Sequence, residues 1–206
     1  MLYCSGLFYL IFLMQNGYLI STRKLFAYYK KLGDDAMAQI TEEKLFFQPN
    51  EDSNSIAIIV QHLAGNMLSR WTDFLTSDGE KEWRNRDTEF EATAVNRALL
   101  LQRWEEGWQC LFAALDSLQE ADLDRIIYIR NQGHTVVEAI NRQLAHYPYH
   151  VGQIVFLGKW LCNEAWQNLS IPRGNSQQYN QDKFAQPKQP IHFTDDLLKK
   201  KSGDTA

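Results

Sequence analysis

Cysteine is scarce in this chain, with three among 206 residues. Cys4, Cys110 and Cys162 lie far apart and share no paired spacing. That excludes a disulfide framework and a cysteine zinc motif, and it fits a reducing compartment, the cytoplasm. Cys110 and Cys162 fall in apolar helical stretches, where a small buried hydrophobe is the expected role. An excess of positive charge is also missing, since the formal net charge is -4. Phosphate binding needs a basic face, so nucleic acid is not expected as the main partner. The run Lys199-Lys200-Lys201 follows Asp195 and Asp196 and reads as a solvated end. No internal repeat, Gly-rich phosphate loop, nucleophile elbow or paired catalytic carboxylate is present.

Apolar runs long enough to span a bilayer are lacking as well. The apolar residues from Gly6 to Met14 have no Lys or Arg before them and no small-x-small cleavage site after them. Gln15-Asn16-Gly17 then interrupts the run before it reaches bilayer length. Residues 1–17 therefore read as an N-terminal extension, with no firm membrane association expected. A domain is expected over 18–170 and a polar C-terminal tail over 171–206. Hydrophobic residues make up 45% and charged residues 22%, the balance of a globular chain.

Helical periodicity is what the chain has in quantity. Leu25, Phe26, Tyr29, Leu32 and Ala36 recur at spacings of three and four, predicting a first helix over 18–40. Ile56, Ile59, Val60, Leu63, Met67, Trp71 and Phe74 predict a second, with N-cap candidates at 53–55. A charged connection over 77–91 carries Trp83 and Phe90, expected to pin it to the body of the protein. A third helix is predicted over 93–118, with Trp104 and Trp108 as core residues. Residues 125–130 look extended, Gly133 breaks the chain, and Thr135 caps a fourth helix over 136–161. Its predicted inward stripe comprises Val137, Ile140, Leu144, Val151, Ile154, Val155 and Gly158. These patterns predict an all-α fold, a four-helix bundle with a long charged crossover between helices 2 and 3.

His146 and His150 stand four residues apart on the flank of the fourth helix, one above the other on the same face. Two imidazoles so placed can point at one ion, or can be polar residues at the edge of the core. Pro148 lies between them and removes a backbone hydrogen bond, so a kink is expected there. On the second helix, His62 falls nearly opposite the apolar stripe, beside Ile58, Gly65, Asn66 and Ser69. It faces either water or a second polar surface such as a cavity wall.

The chain resembles the DinB-like (damage-inducible protein) superfamily, most closely a bacillus-type branch. The resemblance covers about residues 18–180. It rests on Ile59-Val-Gln-His-Leu-Ala-Gly-Asn66, Asn85-Arg-Asp87, Thr135-Val-Val-Glu-Ala139, His146-Tyr-Pro-Tyr-His-Val-Gly-Gln153 and Ile171-Pro-Arg-Gly174. It implies a divalent metal held by one histidine of the second helix and an i,i+4 pair of the fourth, here His62, His146 and His150. Such a tri-histidine site with open positions suits Zn²⁺, Ni²⁺ or Fe²⁺ and marks catalytic rather than closed structural metal binding.

The resemblance further implies a transferase or hydrolase acting on a small molecule, with a low-molecular-weight thiol such as bacillithiol or mycothiol as cosubstrate, and a homodimer. Gln143 and Gln153 are expected to support the ligands, and Asn66 to line the pocket. Arg130 and Arg142 are candidates to meet a carboxylate, while His134 and His192 have no counterpart in the pattern. No catalytic acid or base is identified. A metal binder without turnover, or a stress-related dimeric bundle with vestigial histidines, is the alternative reading.

Overall fold

A computed structural model of the chain describes residues 17–91 and 96–199. In chain order its α-helices are α1 (Gly17–Ala38), α2 (Glu42–Phe46), α3 (Ile56–Trp71), α4 (Arg97–Ser117), α5 (Val136–Cys162), α6 (Ser176–Phe184) and α7 (Asp195–Lys199). A two-stranded antiparallel hairpin, β1 (Ile126–Ile129) and β2 (Gln132–Thr135), joins α4 to α5. Among the described residues the fold is thus mostly helical with one small sheet.

Side-chain caps set where the long helices start. Ser55 Oγ accepts the Ile58 N–H at the head of α3, and Asn96 Oδ1 accepts the Leu99 N–H at the head of α4. At the head of α5, Thr135 and Glu138 form a reciprocal capping box. Four long helices then share one core: α3 packs along α4 and α1 along α5, with further α3–α5 and α1–α4 contacts. Gly107 lets α3 and α4 approach closely, since a Cβ there would lie 3.0 Å from Ala64 Cα. Phe26, Trp71, Trp104, Trp108 and Tyr147 are buried at the centre. Edge-to-face contacts link several of them, including Trp104–Trp108 at 5.4 Å.

Several expectations are corrected. The second helix stops at Trp71 and not at Phe74, because Thr72 turns extended and Asp73 takes a positive φ of 48°. Trp83 does not pin its connection, being 60% exposed, whereas Phe90 is half-buried against His62. The start of the third helix at Thr93 falls outside the described residues; α4 begins at Arg97. Gly133 continues β2 and does not interrupt the chain, while Arg130 and Asn131 make the turn with φ of 55° and 60°. α5 runs through Pro148 as one helix, as the predicted fourth helix does. Of its predicted stripe Ile140, Val151, Ile154 and Gly158 are buried, but Val137, Leu144 and Val155 are only half-buried, and the buried face takes in Gln143 and Tyr147 instead. The tail carries α6 and α7, and it docks onto α1 through Lys24–Asp195 and a His192–Ser21 hydrogen bond. Cys110 and Cys162 are free and half-buried. Among the described residues no helix is long and apolar enough to cross a membrane, and the apolar run at 6–14 lies outside them.

Candidate metal centre

α3 is buried on nearly every side. Its apolar stripe faces the core, and its opposite face is covered by the connection that precedes α4. This is why His62, read from the sequence as lying away from the stripe, is 5% exposed and not in water. The covering residues are Glu89 and Phe90, carried on a 3₁₀ turn over Asp87–Phe90. Gln61 secures the turn by donating to the carbonyls of Thr88, Glu89 and Glu91. Gly65, one turn beyond His62, leaves room for the Glu89 side chain, because a Cβ there would overlap the carboxylate.

From α5, His146 and His150 reach the same place. His62 Nε2 is 3.4 Å from His146 Nε2, and His150 Nε2 is 3.1 Å from it. Three ligand atoms, one from each histidine, lie within 4.8 Å of one another. The outer nitrogens of two rings are fixed. His62 Nδ1 donates to Glu89 Oε2 at 2.9 Å, and His150 Nδ1 donates to Gln153 Oε1 at 2.7 Å. Gln153 is held in turn by donating from Nε2 to the Tyr149 hydroxyl. Glu89 accepts two bonds from Arg84, at 2.7 and 2.9 Å. Burial opposes ionisation of Glu89, but the bonds from His62 and Arg84 outweigh it and hold the carboxyl below its usual range.

These partners dictate the tautomers. An ionised carboxylate only accepts, so His62 carries its hydrogen on Nδ1. The amide oxygen of Gln153 imposes the same on His150. In their neutral forms both rings then present a bare Nε2 to His146, whose own Nε2 has at most one hydrogen to give. At least one lone pair is left facing another acceptor. Burial, reinforced by His150 and His62, pushes the His146 pKa down from 6.5 to about 3. Burial also lowers His150, the Gln153 bond offsetting part of the effect. Protonation of these two rings near neutrality therefore does not relieve the conflict.

A divalent cation does relieve it. Two imidazole nitrogens about 2.0–2.1 Å from a tetrahedral ion stand about 3.3 Å apart. The separations of 3.1 and 3.4 Å bracket that value, with all three ligand atoms within 4.8 Å of one another. The donor set is three neutral imidazoles with second nitrogens oriented by a carboxylate and an amide, the usual outer support of metal-bound histidine. The residues present fit a metal ion.

A family model covers residues 14–175, most of the chain. The chain belongs to DUF1572, a family of proteins of unknown function. No curated protein matches it.

The other predicted site residues of this DUF1572 member are placed as follows. Asn66 is buried and accepts from the Tyr147 hydroxyl at 3.0 Å, which accepts from Trp71 Nε1 at 3.0 Å. Its side chain thus braces the residue next to His146. Gln143 is buried one turn before Tyr147, and its Oε1 has no hydrogen-bond partner among the described residues. Arg130 pairs with Glu80 at 3.1 Å, and Arg142 is exposed. His134 lies on β2 and His192 beside Ser21, both outside the histidine cluster. Sequence reasoning missed Glu89, Arg84 and Tyr147. The first two stand in an irregular connection where no period links them to His62. Tyr147 adjoins both His146 and Pro148 and drew no notice as a core residue.

Proposed function

We propose that this protein is a DinB-like four-helix bundle that holds one divalent transition ion, Zn²⁺, Ni²⁺ or Fe²⁺, on His62, His146 and His150. The observation that carries this reading is the convergence of the three imidazoles with the outer nitrogens of His62 and His150 already committed to Glu89 and Gln153. Three protein ligands leave positions open for a small molecule. A bound ion of this kind supplies Lewis acidity sufficient to generate hydroxide or thiolate near neutral pH. The chain's own part is to keep His146 and His150 neutral by burial, to aim His62 and His150 through Glu89 and Gln153, and to cover His62 with Phe90. The reaction class that follows is transfer to a low-molecular-weight thiol, or hydrolysis, with a small electrophilic substrate, in a cytoplasmic homodimer.

One observation favours a second reading, a metal binder without turnover. Glu89, the carboxylate beside the histidines, is tied to His62 and Arg84 and is not available to carry protons to a substrate.

Metal analysis of purified protein tests the site. We expect close to one transition ion per chain in the native protein and none in His150→Ala. No uptake by the native chain, or equal uptake by the variant, would sink both readings. Turnover of electrophiles with and without thiol, in metal-loaded protein, then separates enzyme from binder.

A further inference from the structure

Along the outer side of α5 runs a groove of about 700 Å³. Tyr149, Phe156 and Trp160 line it and are 62%, 71% and 55% exposed. Their spacing along the helix brings them to one side, so a single apolar wall results. Among the described residues Asp52 is the one charged residue in the lining.

The groove adjoins the histidine cluster. Gln153 lines it and is the residue that holds His150 Nδ1. The Tyr149 ring packs on the His150 ring at 4.8 Å. Ile59, also in the lining, sits one turn before His62 on α3.

Gly152 lies in the middle of this wall. A Cβ added there would meet no atom within 4 Å, so nothing inside the chain requires glycine at this position. Glycine is a poor choice inside a helix on conformational grounds. Its missing side chain widens the groove between Tyr149 and Phe156.

We propose that this groove binds the apolar, ring-bearing and uncharged body of a small molecule whose polar end reaches the histidine site. The proposal rests on the metal-binding reading given above. The volume is that of a small-molecule site, which is concave and mostly apolar with a few placed polar groups. The aromatic walls suit a planar ring. Among the described residues no basic side chain lines the groove and Asp52 does, which favours an uncharged body over an anionic one.

The test is a fluorescence titration of the full-length, metal-loaded protein with the neutral probe N-phenyl-1-naphthylamine. Saturable binding at one site per chain is expected. Gly152→Leu, whose Cβ would meet no atom of the chain within 4 Å, is expected to weaken binding at least tenfold with metal content unchanged and melting temperature unchanged or raised. Phe156→Ala, which removes part of the wall, serves as a second variant and is expected to weaken binding too. With Co²⁺ in place of Zn²⁺, proton resonances of the bound probe are expected to broaden.

Absence of saturable binding, or native-like binding by both variants, would overturn the proposal. So would equal probe spectra with the two metals. Conversion of a dimer to a monomer by Gly152→Leu in sedimentation velocity would give this face to a second copy of the chain instead. Metal uptake without probe binding overturns the groove alone, whereas failure to take up metal overturns the reading on which its link to the histidines rests.

Discussion

Two buried polar clusters flank the same helix, and their chemistry is resolved in different ways. Near the C-terminal end of α3, Arg70 donates to the Gly79 carbonyl and to Glu80, and Glu80 also meets Arg84 and Arg130. Ser69 Oγ donates to the Gly79 carbonyl as well. Apart from Arg70 Nε, which has no partner among the described residues, donors face acceptors throughout. Two turns earlier, around His62, acceptors face acceptors. A cluster that satisfies itself anchors a chain segment. One whose lone pairs converge, as those of His62, His146 and His150 do, offers a place for a cation from outside. Arg84 belongs to both, pairing with Glu80 in the first and with Glu89 in the second.

That contrast is open to a direct attack. The largest effect expected is loss of metal from His150→Ala, from about one ion per chain to below detection by mass spectrometry, with the stability of the metal-free variant close to that of the metal-free native chain. Glu80→Gln is expected to do the reverse. It leaves Arg70 buried without its counter-charge and should cost about 3 kcal/mol in urea unfolding, with metal content intact. Should Glu80→Gln empty the metal site, or His150→Ala collapse the fold, the division between the clusters fails.

Glu89→Gln probes the bridge between them. Removal of outer support for a metal-bound histidine weakens metal affinity roughly 10–100-fold, and a competition titration against a chelator measures it. An unchanged affinity would mean that His62 needs no carboxylate behind it.

Acid is expected to separate the clusters along the pH axis in metal-free protein. His146 titrates at an ordinary 6.5 when unfolded and at about 3 when folded. Between those values the unfolded chain holds the extra proton, so stability falls as pH falls through that window. The slope is up to about 1.4 kcal/mol per pH unit for each histidine so affected. For Glu80 burial opposes ionisation, but Arg70 and Arg84 prevail and hold it below its usual value. A depressed carboxylate loses its contribution only as pH falls through the carboxylate range. Urea midpoints at successive pH values should therefore decline first from the histidines, and His146→Gln should flatten the early part of the decline. A native-like decline in that variant would assign it elsewhere.

The smallest effect concerns the contact between the clusters and the core. Tyr147→Phe leaves Trp71 Nε1 and Asn66 Oδ1 without their partner and should cost about 1–2 kcal/mol, with metal affinity changed only slightly. A large loss of affinity would show that Tyr147 positions His146.

Much of this was legible in the sequence because it follows from periodicity. The four long helices follow from apolar spacing, the start of α5 from Thr135, and the place of His62 off the apolar stripe of α3 from its azimuth, which leaves water and a second polar surface both open. The histidine pair came from i,i+4 geometry. What failed to show had no period behind it. Glu89 meets His62 across 27 residues of irregular chain, and only folding brings them together. Trp83 and Phe90 are both expected to pin the connection, yet only Phe90 turns inward, onto His62, while Trp83 stays exposed. Along α5, Ile140, Val151, Ile154 and Gly158 follow the apolar period, whereas Tyr147 reaches the buried face through its two hydrogen-bond partners and carries no apolar signal.

The capping box at Thr135 has a further consequence. It fixes where α5 begins, and each residue along the helix turns the side chain by about 100°. His146 and His150 therefore inherit their direction from a cap several turns away, in the manner of a ratchet set at its first tooth. Inserting or deleting one residue between Thr135 and His146 would swing both imidazoles off His62 while preserving their mutual spacing. The i,i+4 pair would survive such a change; the three-way meeting would not.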